Sequence, residues 1–435
     1  MKSPSALPVW TMSLGCAKNR VDTERLLGRL GNVRPVEHIG KCRLALINTC
    51  GFIEPAVRES IRAVLDAAKK ISRCRRPPLL AVAGCMVGRY GIGELARELP
   101  EVDLWLATET MDAWPQMIID ALGRDFGPGR PRLLSTPKSY AWLKIAEGCR
   151  HRCSFCVIPQ IRGPLRSMPE EALLREAAAI ARSGVRELCI VAQDSTAWGQ
   201  DLAHGENLSA LLEKLCEIEG FSWLRLFYIY PLGITRKLLE TMRALQPRVL
   251  PYLDVPLQHS HPGILTSMGR PFMGDAERII GEIRTVLPDC ALRTSLIVGY
   301  PGETEEHFEH LCRFVEKARF THLGIFTFCA EEGAKAAELP DQVPENIKEE
   351  RKNRLAAIQA GISREFLARF LHTNQTALVD TANPEWPGLY NARLWFQAPE
   401  VDGLTYLSAP CAEPGAMIPC TIEDSYDYDL SALAD

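Results

Sequence analysis

No stretch of this chain approaches the roughly 18 consecutive apolar residues that a membrane-spanning helix needs. The start, Met1-Lys2-Ser3-Pro4, leads into no apolar segment of the kind a secretion signal carries. These absences set the expectation of a cytoplasmic protein with no membrane contact. No repeat of fixed period and no low-complexity tract appears, so solenoid and disordered architectures are excluded. Positive charge is nearly missing from one end. From Leu371 onward, Arg393 is the only Lys or Arg against ten Asp and Glu. A segment this acidic repels a phosphate backbone and attracts a basic protein. A disulfide framework is lacking too. Fifteen cysteines is an odd count, irregularly spaced over 435 residues, whereas secreted cysteine scaffolds are shorter and denser. In a reducing compartment such thiols act as soft-metal ligands, as catalytic groups or as small buried side chains.

What is present is ordinary in bulk, 46% hydrophobic and 24% charged, and long enough for two or three domains. Three regions follow: residues 7–125, 135–366 and 367–435. The first repeats one device. Strands over Val9–Ser13, Arg43–Asn48 and Leu79–Ala83 end in Gly15-Cys16, Thr49-Cys50-Gly51 and Gly84-Cys85, and each leads into a helical pattern. Alternating strands and helices predict a parallel α/β sheet whose carboxyl-edge loops converge. Gly123–Pro137 reads as a linker. The second region carries six strand–helix units, with strands over Trp142–Glu147, Glu187–Ala192, Leu224–Tyr228, Tyr252–Pro256, Leu292–Val298 and Leu323–Phe328. They predict a partial (βα)6 barrel with its chemistry at the carboxyl ends. Ser167 and Glu170 predict a capping box, Gly184 a helix stop, and Glu345–Arg354 the solvated face of a connecting helix. The third region alternates over short stretches between Pro and Gly signals, predicting a small β-barrel.

The strongest motif is Glu147-Gly148-Cys149-Arg150-His151-Arg152-Cys153-Ser154-Phe155-Cys156, directly after the first barrel strand. Three thiolates from one short loop can hold three irons of a 4Fe–4S cube and leave the fourth open to a chelating small molecule. The competing reading is a zinc site made of these cysteines and His151. Cys16, Cys50 and Cys85 alone, 34 and 35 residues apart, read better as buried cysteines at sheet ends, and the repeated strand–Gly/Cys–helix placement shifts the balance toward a second metal site. His259 and His261 read as structural histidines, and Gly299, Pro301 and Gly302 as a turn or a close approach to a ligand. The other nine cysteines read as buried apolar groups.

The Cys149–Cys156 loop resembles that of the radical S-adenosylmethionine enzymes. Met12–Asn19, Asn48–Phe52 and Ala83–Cys85 resemble the amino-terminal domain of the methylthiotransferases within them. Nearly the whole chain is similar to the RimO type of that family, through Lys144–Cys149, Ile161-Arg162-Gly163, Ala192-Gln193-Asp194, Leu253–His259, Ile297–Thr304, Leu339–Pro344, Ala398–Gly403 and Asp427–Leu430. The last region resembles the TRAM domain. Ala17 stands where such enzymes often have Pro, and Gln397 where they often have Asp.

The resemblance implies two 4Fe–4S clusters. Cys149, Cys153 and Cys156 would hold the one that cleaves S-adenosylmethionine, and Cys16, Cys50 and Cys85 the auxiliary one that delivers sulfur. S-adenosylmethionine would serve as methyl donor and radical source, with Phe155, Gln193, Gln258, Arg293 and Glu303 as its contacts. It implies insertion of a methylthio group at the β-carbon of an aspartate in ribosomal protein twelve of the small subunit, with Asp427 and Asp429 as docking residues. An electron donor such as flavodoxin or ferredoxin and a sulfur source complete the expected partners. The acidic end speaks against the tRNA-modifying relatives.

Overall fold

The computed structural model of the chain describes residues 6–203, 205–270 and 276–435. β1 (Leu7–Ser13), β2 (Val33–Pro35), β3 (Leu44–Thr49), β4 (Leu79–Gly84) and β5 (Leu104–Leu106) form a parallel sheet in the order β2-β1-β3-β4-β5. β3 is buried along its whole length and β4 almost so, which is why both read as unbroken apolar runs. β2 and β5 escape the sequence pattern because each is a three-residue edge strand. Helices α1 (Ala17–Arg29), α2 (Glu54–Ile71) and α3 (Cys85–Tyr90) follow β1, β3 and β4.

The six central strands are β6 (Tyr140–Lys144), β9 (Glu187–Val191), β10 (Trp223–Leu226), β11 (Val249–Asp254), β12 (Ala291–Val298) and β13 (His322–Thr327). They pair in sequence order, all parallel, as an open barrel. The short β7 (Ala146–Glu147) and β8 (Arg166–Ser167) pair apart from it. Period-two alternation divides the barrel strands. Leu143, Ile190, Leu226 and Leu253 face the surrounding helices, whereas Trp142, Cys189, Phe227 and Tyr252 face inward. The fold class predicted from the sequence is therefore the one observed.

The closed barrel runs β14 (Asn374–Ala382), β15 (Leu389–Arg393), β16 (Thr405–Ser408), β18 (Leu430–Ala434) and β17 (Met417–Ser425) in spatial order. Its Phe396 and Leu394 share one apolar core with Trp142, Phe227 and Tyr252. The loop from Leu394 to Asp402 thus seals the amino-terminal mouth of the open barrel. There Glu187 accepts from Arg225 and from Arg393, both at 2.6 Å, and all three side chains are fully buried. Tyr252 donates to Asp402 at 2.8 Å, and Tyr140 to Glu400 at 2.6 Å.

Three local expectations need correction. The helix over Glu170–Arg182 has no side-chain cap; Ser167 Oγ instead accepts from Gly199 N at 2.9 Å. The charged helix face is not all solvated, because Lys348 and Arg351 are buried, Arg351 donating to Glu303. The Gly123–Pro137 segment is irregular, but Arg132 anchors it to Glu24 and Glu176. Gly184 does follow its helix, in the left-handed region at φ +89°. Of the nine cysteines expected to be buried, Cys411 is exposed and Cys74, Cys216 and Cys329 are half-buried.

Candidate functional site

The carboxyl edge of the first sheet faces the carboxyl mouth of the open barrel. Cys16 precedes α1, Cys50 follows β3 and Cys85 opens α3. The chain turns into Cys16 through Gly15 at φ +86°, where a Cβ would lie 2.9 Å from Cys50 Sγ, so only glycine lets these loops close up. Burial pushes the Cys85 thiol up to about 11; Arg162 opposes this, and Cys16 and Cys50 add to it. Burial likewise raises Cys50, with Cys16 adding. The three thiols therefore sit within electrostatic reach of one another.

The second trio lies across the gap, after β7. Gly148 holds φ +75°, and a Cβ there would meet Pro164 O at 2.0 Å. Cys149 N donates to Gly163 O at 3.1 Å, and Cys156 N to Cys153 O at 3.1 Å. Burial pushes Cys156 up to about 12, with Cys153 and Cys149 adding. Arg270 Nε donates to Cys153 Sγ at 3.4 Å. His151 is engaged elsewhere, with Nε2 2.7 Å from Asp194 Oδ2 and its ring stacked on Tyr230 at 3.7 Å.

Arg162 links Cys85 to Glu147, two residues before the second trio. Its Nε donates to Cys85 Sγ at 3.2 Å, its Nη1 to Asp22 at 2.8 Å and to Glu147 at 3.2 Å, and its Nη2 to Asn19. Lys144 pairs with the same Asp22 and Glu147. Burial favours the neutral form of Glu147, but Lys144 and Arg162 hold its carboxyl well below the usual range. Lysine at position 162 keeps the charge but loses the fork that reaches four partners. Arg162→Lys is expected to lower stability by ~1.5–3 kcal/mol, the worth of hydrogen bonds to charged groups, measured as a shift of the denaturant midpoint.

The other candidates separate. Gln193 donates to Glu147 Oε1 at 2.6 Å, and its own Oε1 is buried without a partner. Gln258 lies four residues beyond β11, bridged to Leu296 of β12, with φ +74°, a strained conformation for this residue. Phe155 packs half-buried against the barrel's helical layer, under Arg270. These three border the Cys149–Cys156 loop or the strand ends beside it. Arg293 does not. It lies in the amino-terminal half of β12 and pairs with Asp402 of the sealing loop and, at 3.8 Å, with Asp254. Glu303 holds the Gly299–Gly302 turn, accepting from Gly299 N at 2.6 Å and Tyr300 N at 3.2 Å, with Arg351 as counter-ion. The turn closes on itself.

His259 is buried and accepts from His261 N; His261 caps the helix Pro262–Ser267. Asp427 pairs at the surface with Arg364, whereas Asp429 turns back to accept from Leu404 N at 2.7 Å. Arg162, Asp22 and Asn19 carry no role in the sequence reading. Their signal is faint: Arg162 stands beside Gly163 in a quoted motif, but nothing local ties it to Cys85.

As placed, no three Cys, His, Asp or Glu side chains among the described residues are gathered as a metal-ion site; the donor chemistry is that of iron–sulfur ligation, two thiol trios, each touched by one guanidinium, with an unpaired amide oxygen beside one of them. A cysteine loop at the mouth of an open parallel barrel is the radical S-adenosylmethionine fold, and the model described as "Radical SAM superfamily" matches residues 143–315. "Uncharacterized protein family UPF0004" matches 8–107 and "TRAM domain" 373–434. The solved structure of the radical S-adenosylmethionine methyltransferase TsrM from Kitasatospora setae aligns with TM-score 0.53 and 14% identity over 74% of this chain and 75% of that one. At that identity it speaks to the fold alone.

The ribosomal protein uS12 methylthiotransferase RimO of Nitratidesulfovibrio vulgaris (strain Hildenborough) is 55% identical over 98% of this chain and 100% of its own. Those of Oleidesulfovibrio alaskensis and Lawsonia intracellularis are 52% identical (98% of this chain, 100% of theirs) and 47% identical (100% and 99%). The chain belongs to the RimO family of radical S-adenosylmethionine methylthiotransferases.

Proposed function

We propose that this chain methylthiolates ribosomal protein uS12 at the β-carbon of an aspartate. The observation that carries this reading is the pair of cysteine trios, with Arg162 bonded to Cys85 of one and to Glu147, two residues before the other. Cys149, Cys153 and Cys156 hold one 4Fe–4S cluster, and Cys16, Cys50 and Cys85 hold the other. When bound, these clusters and S-adenosylmethionine supply the hydrogen abstraction, the sulfur and the methyl group.

The chain's own residues position and shield that chemistry. Burial keeps Cys50, Cys85, Cys149 and Cys156 protonated without metal, so loading a cluster must displace their protons. Gln193 and Gln258 are the side chains we assign to S-adenosylmethionine, with Phe155 packing beside them. Arg293 and Glu303, held by Asp402 and Arg351, are left out of that assignment. The reductant is a small electron carrier of the flavodoxin or ferredoxin kind, and a separate donor supplies the sulfur.

Charge favours a basic protein over tRNA as substrate. Glu385, Glu413, Glu423, Asp424 and Asp427 are exposed on the closed barrel, while its one arginine, Arg393, is fully buried. Among the described residues, no helix is long and apolar enough to cross a membrane. The test is incubation of the reconstituted enzyme with S-adenosylmethionine, a reductant and purified uS12. Mass spectrometry is expected to find one methylthio group replacing hydrogen on uS12. Unmodified uS12 beside modified tRNA would overturn the reading.

A further inference from the structure

Among the described residues, the other cations that bridge the first sheet's domain to the rest of the chain have carboxylate partners. Arg25 and Arg132 share Glu176, Lys144 and Arg162 share Asp22 and Glu147, Arg20 pairs with Glu400, and Arg89 with Glu331. Lys18 is the exception: among the described residues no carboxylate lies within ion-pair distance of its Nζ. The side chain leaves the first turn of α1, two residues from Cys16, and crosses to the barrel mouth. There its Nζ stands 3.7 Å from the centre of the Tyr228 ring. Tyr228 lies just beyond the carboxyl end of β10 at φ +53°, a left-handed conformation that costs a bulky residue strain. Its N–H donates to Asp254 Oδ2 at 3.2 Å, and that bond holds the strained turn in place. Asp254 also lies 3.8 Å from Arg293. The ring face is thus presented to the lysine by a built arrangement, and Lys18 and Tyr228 both remain half-buried.

A partly desolvated ammonium on an aromatic face, with no carboxylate among the described residues in ion-pair contact, is a receptor for an anion brought from outside. The anion has to arrive between the Cys16 loop and the strand ends, where the two trios face each other. Granting the function proposed above, on which this inference rests, the substrate brings a carboxylate to that gap. We propose that Lys18, held on Tyr228, binds the carboxylate of the target aspartate and distinguishes it from the neutral amide of asparagine.

The experiment measures binding of fluorescently labelled uS12, and of uS12 with its target aspartate changed to asparagine, to the cluster-loaded enzyme. Wild type is compared with Lys18→Met and Lys18→Arg, with iron per chain counted for each. Wild type is expected to prefer the aspartate form by roughly 10- to 100-fold, the range for one hydrogen bond to a charged group. Lys18→Met is expected to bring the ratio near one, and Lys18→Arg to retain most of it. A ratio unchanged in Lys18→Met overturns the proposal; if that variant also loses iron, the lysine supports the auxiliary cysteines instead. A wild-type ratio of one overturns it as well. Wild-type enzyme that leaves uS12 unmodified in the same preparation removes the functional reading, and the lysine's assignment with it. Wild type that modifies uS12 while Lys18→Met keeps the ratio removes the lysine's assignment alone.

Discussion

Cys153→Ala is expected to abolish deoxyadenosine release from S-adenosylmethionine, whereas Cys50→Ala spares that release and abolishes methylthiolation of uS12. The two cysteines belong to trios on different loops, one after β7 and one after β3. Each loop is closed by its own backbone contacts: Cys149 N on Gly163 O in one, Ser60 Oγ donating to Cys50 O at 2.9 Å in the other. Loss of one ligand therefore leaves the other loop's geometry standing. Both products are read in one assay, deoxyadenosine by chromatography and uS12 by mass. Deoxyadenosine formed at the wild-type rate by Cys153→Ala would sink the assignment of that trio, and methylthiolated uS12 from Cys50→Ala would sink the other.

The second large effect lies far from the chemistry. Glu187→Gln is expected to cost ~3–5 kcal/mol, the usual penalty for removing one partner of a buried charge group. Glu187 is the shared counter-ion of Arg225 and Arg393, one from each barrel, and none of the three side chains is exposed. Glutamine offers one acceptor and turns an amide donor toward a guanidinium. Arg393 retains Asp380 at 2.7 Å, so the greater strain falls on Arg225, whose one other hydrogen bond among the described residues goes to Trp395 O. A double change, Glu187→Gln with Arg225→Met, should recover part of the loss, because it leaves no orphaned charge at that position. Chemical denaturation followed by tryptophan fluorescence measures both. A single variant as stable as wild type would mean that the closed barrel is not fixed through this group.

The sequence spoke clearly where one residue type had to recur at one kind of place. The strand–Gly–Cys–helix device showed Cys16, Cys50 and Cys85 at one sheet edge because parallel strands bring their carboxyl-end loops together whatever their separation along the chain. The Cys149–Cys156 loop was legible for a simpler reason, since all its donors are neighbours in sequence. Contacts made across the fold were not legible. Arg293 was read as lying at a strand end where S-adenosylmethionine would rest, but its partner, Asp402, is 109 residues away in the sealing loop. Glu303 follows a Gly-Tyr-Pro-Gly stretch that suits a ligand loop equally well, and its bonds to Gly299 N and Tyr300 N, with Arg351 from a distant helix, show that it clamps a turn. Asp429 looked like a free surface acid until Leu404 N was seen to donate to it. Tyr228 gave no signal, because nothing in its neighbours demands a left-handed backbone. Lys18 was visible only as a letter in a motif; its lack of a counter-ion is a property of the assembled domains.

The central claim is that two separate cysteine trios hold two clusters. Iron and sulfide content of anaerobically purified protein tests it most directly, wild type against the triple change of Cys16, Cys50 and Cys85 to alanine. Cysteine-ligated cubes predict about eight irons per chain falling to about four. About four in both proteins would leave a single cluster and no auxiliary site, and the account of a sulfur-inserting enzyme would be contradicted.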